Sequence, residues 1–509
     1  MKHLVISIIG LVVFCSGATA QLTDKQQIAK LNSVFEHIRD NYVDDVSLEP
    51  LVQEAIIATF KELDPHSKYL TKEEMEASKM RLRGEFAGIG INYIIHNDTL
   101  VVRSTIENSP ACDGAILPND RITAINAQSI IGLSTDSIAT LLKGDAGSSA
   151  LLRVERRGAI EPLEIDLRRK IINQSAIGAA LRFGDVGYIS IESFSKRLHG
   201  DFYSAYTKLG DIKSLVIDLR DNGGGLITAA IDLTSLFLNK GDVIVSTEGR
   251  TESTTYSKRR DTKPIDIPLV VLINENSASA SEIFAGAIQD HDRGTVVGHT
   301  SFGKGLVQRV IKLKDGSGIY LTIARYKTPS GRIIQRPYTM GEGEAYISDS
   351  LRFMHPDSIS HHDRPVYKTL KLGREVYGGG GITPDEYIDI SDITIRESVQ
   401  RLVRDATIDR MAIAYIDTIS LNTLLERYPT MEDFHAEYSA DTEFMDMFNN
   451  MAEQSFEDIS EQEREYLSAL FKSAVARRLY GDYGGAYIYV LEYDPMARRA
   501  IAIANSKII

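Results

Sequence analysis

Cysteine is almost absent from this chain, with two residues in 509, Cys15 and Cys112. Cys15 lies inside an apolar leader, so loss of that leader would leave Cys112 alone and exclude an intrachain disulfide. Cys112 sits in a loop-like SPACDG segment with no partner motif and reads as structural. Clusters of basic residues are lacking too. The formal charge is −13, and no grouping of Lys and Arg offers the footprint that phosphate binding needs, so no nucleic-acid partner is expected. After the first twenty residues no stretch is apolar enough for a bilayer span of about 20 residues. The chain has no HExxH, no CxxC, no GxSxG elbow, no internal repeat and no low-complexity tract. No metal and no other cofactor is therefore expected, and a histidine triad has no recognisable context. His66 reads as part of an Asp64-Pro65-His66-Ser67 turn, and His361-His362 as solvent-facing.

What is present suits several globular domains. Hydrophobic residues make up 43% and charged residues 25%, enough to bury real cores, and the length suggests three or four domains. Lys2 and His3, the apolar run Leu4 to Phe14, and Ala18-Thr19-Ala20 before Gln21 form an export-signal pattern over residues 1–20. Phe14 before Cys15 argues against lipidation. Residues 21–83 carry helical spacing (Ile28, Leu31, Val34, Phe35, Ile38, Tyr42, then Val52, Ile56, Phe60, Leu63). From Gly84 to about 168 the texture is β-rich, with strands expected at Phe86–Ile95 and Thr99–Thr105 and a helix over Ser134–Leu142. Residues 169–392 alternate strands and helices, as in an α/β layer. Within them, 341–375 read as a polar insertion or mobile loop. From 393 to 509 the pattern is helical and acidic, with a turn at Gly484-Gly485.

Two segments carry chemistry. Asn274 to Glu282 lies at a strand-to-helix turn. Its small residues permit close approach of a substrate backbone, and a helix N-terminus offers free N–H groups to a developing oxyanion. A plain serine-rich helix cap explains the same residues when they are taken alone. Ser301 to Gln308 places Lys304 between two glycines in an apolar setting. Gly298 to Lys304 has the spacing of a phosphate-binding loop, but Gly305 stands where Ser or Thr would hold Mg²⁺, and the loop runs into a strand rather than a helix.

Together the two segments are similar to one family. SASASEIFAGAIQD followed by SFGKGLVQ resembles the carboxyl-terminal processing, or tail-specific, proteases of peptidase family S41. LDPHSKYL before GEFAGIGI, then DLRDNGGG, LTIARYKTPSGRIIQ and GGGGITPD, agree with it in order over roughly residues 60–390. The resemblance implies a crotonase-like α/β protease core (169–392) with an inserted PDZ domain (84–168), an N-terminal helical region (21–83) and a C-terminal helical domain (393–509). It makes Ser279 the nucleophile, Lys304 the general base and Gln308 the residue that orients the lysine. Ala280, Gly224 and Gly225 become the oxyanion hole, and Glu282 and Ser301 supporting residues. Ser301 replaces a frequent Thr and keeps the hydroxyl. In the PDZ domain, Gly88-Ile89-Gly90-Ile91 would cap a peptide's C-terminal carboxylate. Ile91, Tyr93, Ile138 and Leu141 would line an apolar groove, unless they are simply core. Arg81 and Arg83 add attraction for a carboxylate or are ordinary surface.

A lysine base must be neutral near pH 7, although its free value is near 10.4, a fall of about three pH units or about 4 kcal/mol. Burial among Phe302, Leu306 and Val307 would supply it, and Glu282 is expected to point away from the amine. The expected partners are protein or peptide substrates with exposed apolar C-termini. Oligomerisation or an adaptor contact through the C-terminal helices is weighed against a simple cap on the core. The family places the exported protein in the periplasm of a Gram-negative-type bacterium. The runner-up is a catalytically inactive PDZ scaffold on a protease frame. An altered Ser279, Lys304 or Gln308 would favour it, and none is altered.

Overall fold

The computed structural model describes residues 22–96, 98–114, 116–348, 364–389, 399, 402, 407–439, 459–481 and 486–508. The export signal expected at 1–20, His361-His362 and the turn at Gly484-Gly485 lie outside the described residues. The chain divides into two compact units, Met1–Leu63 and Asp64–Ile509.

The first unit contains helices Asp24–Asn41 and Leu48–Lys61. Thr23 caps the first with Gln26 in a reciprocal box. Neither helix buries a residue, and the apolar positions Ile28, Leu31 and Val34 are exposed.

The larger unit begins at Asp64, inside the stretch 21–83 expected as the N-terminal helical region. The reason is pairing across a distance of some 250 residues in sequence. A short strand Lys68–Leu70 adds antiparallel to Gly318–Tyr320, and Thr322 donates to Asp64 Oδ1 at 2.9 Å. Helix Lys72–Arg83 follows.

The heart of this unit is a six-stranded sheet in the order Ile177–Phe183, Val186–Ile191, Ser214–Asp218, Leu269–Ile273, Thr295–Gly298, Glu386–Tyr387. It is parallel except at its first pair. Continuous apolar runs such as Leu269–Ile273 make such strands because both faces are covered. Side chains alternate between the faces. Leu215, Ile217, Leu219, Val271 and Ile273 pack with helices Leu198–Lys208, Ile227–Ser235 and Ala280–Asp290. Val216, Val270 and Leu272 point the other way and meet Met496, Ala497, Ala500 and Ile503 of helix Pro495–Ser506. The end of the chain thus covers the sheet's second face, as the cap reading expects. A second, antiparallel sheet holds Lys68–Leu70, Gly318–Lys327, Val243–Gly249 and Ser253–Ser257, with Leu306–Lys312 paired to Gly318–Lys327. This last pair is a hairpin.

Residues 91–168 form a sheet in the order Ile91–His96, Thr99–Thr105, Arg121–Ile125, Ser149–Glu155, Leu163–Arg168, with helix Thr135–Leu142 packed on it. The single strand expected over Phe86–Ile95 is two strands, Glu85–Gly88 and Ile91–His96. The chain turns at Gly90, whose φ is +83° and whose missing Cβ would lie 2.2 Å from the Ser109 Cβ. Cys112 is exposed in a four-residue helical turn.

A helical bundle of Thr407–Ile419, Leu421–Arg427, Met431–Glu437 and Glu461–Tyr480 has its own core. Ile413 is buried with Ile94 and Val101 of the β domain. Arg121 pairs with Asp417 at 2.7 Å and Arg103 pairs with Asp409. The stretch expected to be irregular contains helix Gly343–Ser348 and a hairpin of Val366–Lys368 with Glu375–Tyr377. Its residues 349–363 lie outside the described ones.

Candidate active site

Strand Leu269–Ile273 ends in a turn whose polar groups are fully engaged. Asn274 accepts from the Asp221 N–H at 2.9 Å and donates to its carboxylate at 2.9 Å, and the Ser277 hydroxyl donates to Leu219 O at 2.8 Å. The turn delivers Ser279 to the N-cap of helix Ala280–Asp290 with φ +56° and ψ −110°. A left-handed φ at a residue with a Cβ costs of order 1–3 kcal/mol and persists only where neighbours hold it.

Two neighbours do so. Glu282 is fully buried, and its carboxylate accepts four hydrogen bonds. Oε2 takes the N–H of Ser279 at 2.8 Å and of Lys304 at 2.9 Å. Oε1 takes the Ser301 hydroxyl at 2.6 Å and the Gly303 N–H at 2.7 Å. Burial pushes the carboxyl above the ordinary range against these four donors. The Tyr326 hydroxyl, buried, lies 2.8 Å from Lys304 O and 3.1 Å from Ser279 O. One carboxylate and one phenol thus clamp the backbones of both residues. Ser301 extends the clamp, since its hydroxyl accepts from the Ile382 N–H at 2.7 Å; this ties in the Gly-rich segment before Pro384.

Ser279, Ala280, Lys304, Gln308, Gly223, Gly225 and His66 line one cleft of about 430 Å³. Burial pushes the Lys304 amine below its ordinary value; Glu282 and Asp64 pull it back up, and Lys68 adds to the fall. Glu282, expected to point away from the amine, spends its carboxylate on backbone N–H groups, that of Lys304 among them, and on the Ser301 hydroxyl; among the described residues no ion pair joins it to the amine, though its charge still favours the protonated form. Lys304 also precedes the strand Leu306–Lys312 rather than lying on it with Gln308. Gln308 Nε2 donates to Thr322 Oγ1 at 3.2 Å, and among the described residues it makes no hydrogen bond to the lysine amine.

The loop Asp218–Gly225 reaches the serine turn closely. At Gly224, φ is +93°, and an added Cβ would lie 2.6 Å from Ala278 O and 2.8 Å from Ala280 N, so only glycine fits. The Gly224 N–H donates to Asn222 Oδ1 at 2.8 Å. The N–H groups of Gly225 and Ala280 have no partner among the described residues.

Sequence reasoning left out two residues here and gave a third, His66, no place in the site. Tyr326 stands on a strand, and a buried tyrosine hydroxyl usually needs a partner, which was the available signal. Tyr346 comes from the supposed loop; it is 5% exposed, and its hydroxyl donates to Gly303 O at 3.3 Å. His66 does sit in a turn, where Asp64 Oδ1 accepts its N–H at 3.0 Å. Its ring also lines the cleft, and burial together with the Lys304 charge brings it down to about 4.

In the β domain, Ile138 is fully buried and Ile89 nearly so, so both are core, while Ile91, Tyr93 and Leu141 are half-buried against that core. Strand Ile91–His96 is paired on one side only, with Thr99–Thr105, among the described residues.

Comparison with known proteins agrees with this architecture. Residues 185–340 match the model of peptidase family S41, residues 101–156 that of the PDZ domain, and residues 398–481 that of a family of unknown function. The carboxy-terminal-processing protease of Bartonella bacilliformis is 38% identical over 320 residues, covering 61% of this chain and 73% of that protein. A Staphylococcus aureus protein named "Probable CtpA-like serine protease" is 32% identical over 356 residues, covering 69% of this chain and 70% of it. The solved photosystem II D1 C-terminal processing protease is 24% identical with a TM-score of 0.36, over 73% of this chain and 94% of that one. With its PDZ domain and its S41 peptidase unit, this chain belongs to the carboxy-terminal-processing serine proteases of peptidase family S41.

Proposed function

We propose that the chain is an endopeptidase with a Ser/Lys dyad, acting on exported proteins whose apolar C-terminal tails are taken up by the PDZ domain. The observation that carries the dyad is the shared clamp. Ser279 and Lys304 open into one cleft, and both are fixed by Glu282 and Tyr326. A serine hydroxyl attacks poorly until a base takes its proton, and a buried amine of lowered pKa is such a base.

In this reading Ser279 Oγ forms a bond to the scissile carbonyl carbon as its proton passes to the Lys304 amine. The oxyanion is met by the N–H groups of Gly225 and Ala280, with Gly224 serving as the turn that brings them together. The C–N bond then breaks and the ammonium of Lys304 returns the proton to the leaving amine. Water hydrolyses the acyl-enzyme with the neutral lysine again as base. Gln308 acts at a remove, through Thr322.

The core reads as crotonase-like, which is supported by its mostly parallel sheet flanked by helices and a second sheet. A tail would add to the open edge of Ile91–His96. Its carboxylate would meet the Gly88-Ile89-Gly90 turn, and its side chains would rest on Ile91, Tyr93 and Leu141 over a floor that includes Ile138. The leader at 1–20 supports export, with the periplasm as the compartment.

The test is cleavage of a loosely folded reporter protein ending in an apolar tail. Wild type should cut it, while Ser279→Ala and Lys304→Ala fall to background. Undiminished cutting by Ser279→Ala would sink the assignment.

A further inference from the structure

Helix Pro495–Ser506 does more than cover the sheet. Its N-cap, Asp494, uses both carboxylate oxygens. Oδ1 accepts from the Ala497 N–H at 3.0 Å and caps the helix. Oδ2 lies 2.7 Å from Arg220 Nη1. Arg220 belongs to the loop that ends at Gly225. From its other side Asp218 grips it, with Nη2 at 2.7 Å and Nε at 3.0 Å from Oδ2. The Arg220 N–H donates to Asp218 Oδ1 at 2.9 Å, and the Tyr188 hydroxyl donates to Asp218 Oδ2 at 2.6 Å. Side-chain exposures are 13% for Arg220, 5% for Asp218 and 16% for Asp494. A planar guanidinium held between two carboxylates at this depth has little freedom.

The two carboxylates differ in origin. Asp218 ends a core strand, whereas Asp494 comes from the far end of the chain. Beyond Arg220 the loop is pinned residue by residue to the serine turn. The Asp221 N–H donates to Asn274, and Asn222 O accepts from the Ala278 N–H at 3.0 Å and from the Ser281 hydroxyl at 2.9 Å. Arg220 thus opens the stretch that carries Gly225 to the serine turn.

We propose that Asp494 is a positioning residue of the active site: through Arg220, the C-terminal helix holds the oxyanion loop in place, so the helical layer sets the rate of acyl transfer. This rests on the reading of Ser279 as nucleophile and of Gly225 and Ala280 as oxyanion donors. A mere helix cap would affect stability and leave the chemistry alone.

The test uses the full chain and the variant Asp494→Asn, because Asn caps a helix about as well as Asp but carries no charge. Asp494→Ser, which also caps, serves as a second variant should the first fold poorly. Two rates are read: phosphonylation of serine by a fluorophosphonate, and steady-state cleavage of fluorescein-labelled casein. Both are repeated in an Arg220→Lys background, where the side chain stays charged but cannot fork between two carboxylates. Wild type should be labelled at Ser279. Asp494→Asn should label, and turn over, about tenfold more slowly, less than the roughly hundredfold or more that loss of a whole oxyanion donor costs. KM should stay within about twofold, because only transition-state stabilisation is lost. In the Arg220→Lys background the same substitution should change either rate by less than about twofold. Labelling of Asp494→Asn at the wild-type rate, whatever its melting temperature, would overturn the proposal, as would an undiminished further loss in the Arg220→Lys background. Wild type unlabelled at Ser279 would instead overturn the nucleophile reading itself.

Discussion

Replacing Glu282 by Gln should separate two roles that the carboxylate holds at once. Structurally, an amide nitrogen cannot accept a hydrogen bond. If it takes the place of Oε2, the N–H groups of Ser279 and Lys304 both lose their acceptor. If it takes the place of Oε1, the Ser301 hydroxyl can turn and accept, and only the Gly303 N–H is orphaned. The second placement costs less. One buried, unpaired N–H is worth about 1–3 kcal/mol, a drop of a few degrees in melting temperature. Electrostatically, the Glu282 charge holds the proton on the Lys304 amine. Without it, that proton leaves at lower pH. Activity needs the neutral amine, so it rises with pH through the lysine's pKa, and in Glu282→Gln the rise should move to lower pH while the plateau falls. The assay is kcat/KM on labelled casein from pH 6 to 10, with melting followed by circular dichroism. A melting temperature that falls while the midpoint stays fixed, or moves to higher pH, would refute the coupling between this carboxylate and the base.

Three further outcomes follow from other contacts. Tyr326→Phe removes the hydroxyl shared by Ser279 O and Lys304 O; kcat should fall about fivefold to tenfold, as a loss of about 1 kcal/mol implies, with tail-peptide affinity measured by calorimetry unchanged. Lys304→Met should abolish cleavage and raise the melting temperature measured at pH 7. The fold lowers the amine's pKa, so the unfolded chain binds more protons and the lysine burdens stability below its ordinary pKa. Asp409→Ala should cost about 3–5 kcal/mol, because it strips the partner from Arg478, which is 1% exposed and sits 3.0 Å from that carboxylate. Since Asp409 also holds Arg103, limited proteolysis should then release the PDZ domain sooner.

Much of the site could be read from residue order, and what escaped has identifiable causes. Lys304 announces itself because a lysine between glycines in an apolar setting is unusual, while Ser279, which a plain helix cap would also explain, is picked out by the series of motifs around both. The left-handed φ of Ser279 is not legible there, since it is held by Glu282, whose carboxylate is itself placed by Ser301 and Gly303 well downstream, and by Tyr326 on another sheet. Gly224 was read as an oxyanion donor, but the neighbouring Asn222 side chain takes its N–H, a local competition that spacing alone does not reveal. The strand Lys68–Leu70 is three residues long and exists only because the edge of Gly318–Lys327 pairs with it. The apolar positions of Pro495–Ser506 (Met496, Ala497, Ala500, Ile503, Ala504) have helical spacing, yet nothing local states which sheet face they cover. Both faces of Leu269–Ile273 are apolar, which calls for cover on each without saying what supplies it.

The most direct measurement of the central claim is the site of covalent capture. The full chain is treated with a fluorophosphonate at pH 8 and digested, and the modified peptide is sequenced by mass spectrometry. The Ser/Lys account predicts one adduct on Ser279, formed rapidly by wild type and absent from Lys304→Ala. An adduct on another serine, or unchanged labelling of Ser279 without Lys304, would contradict it.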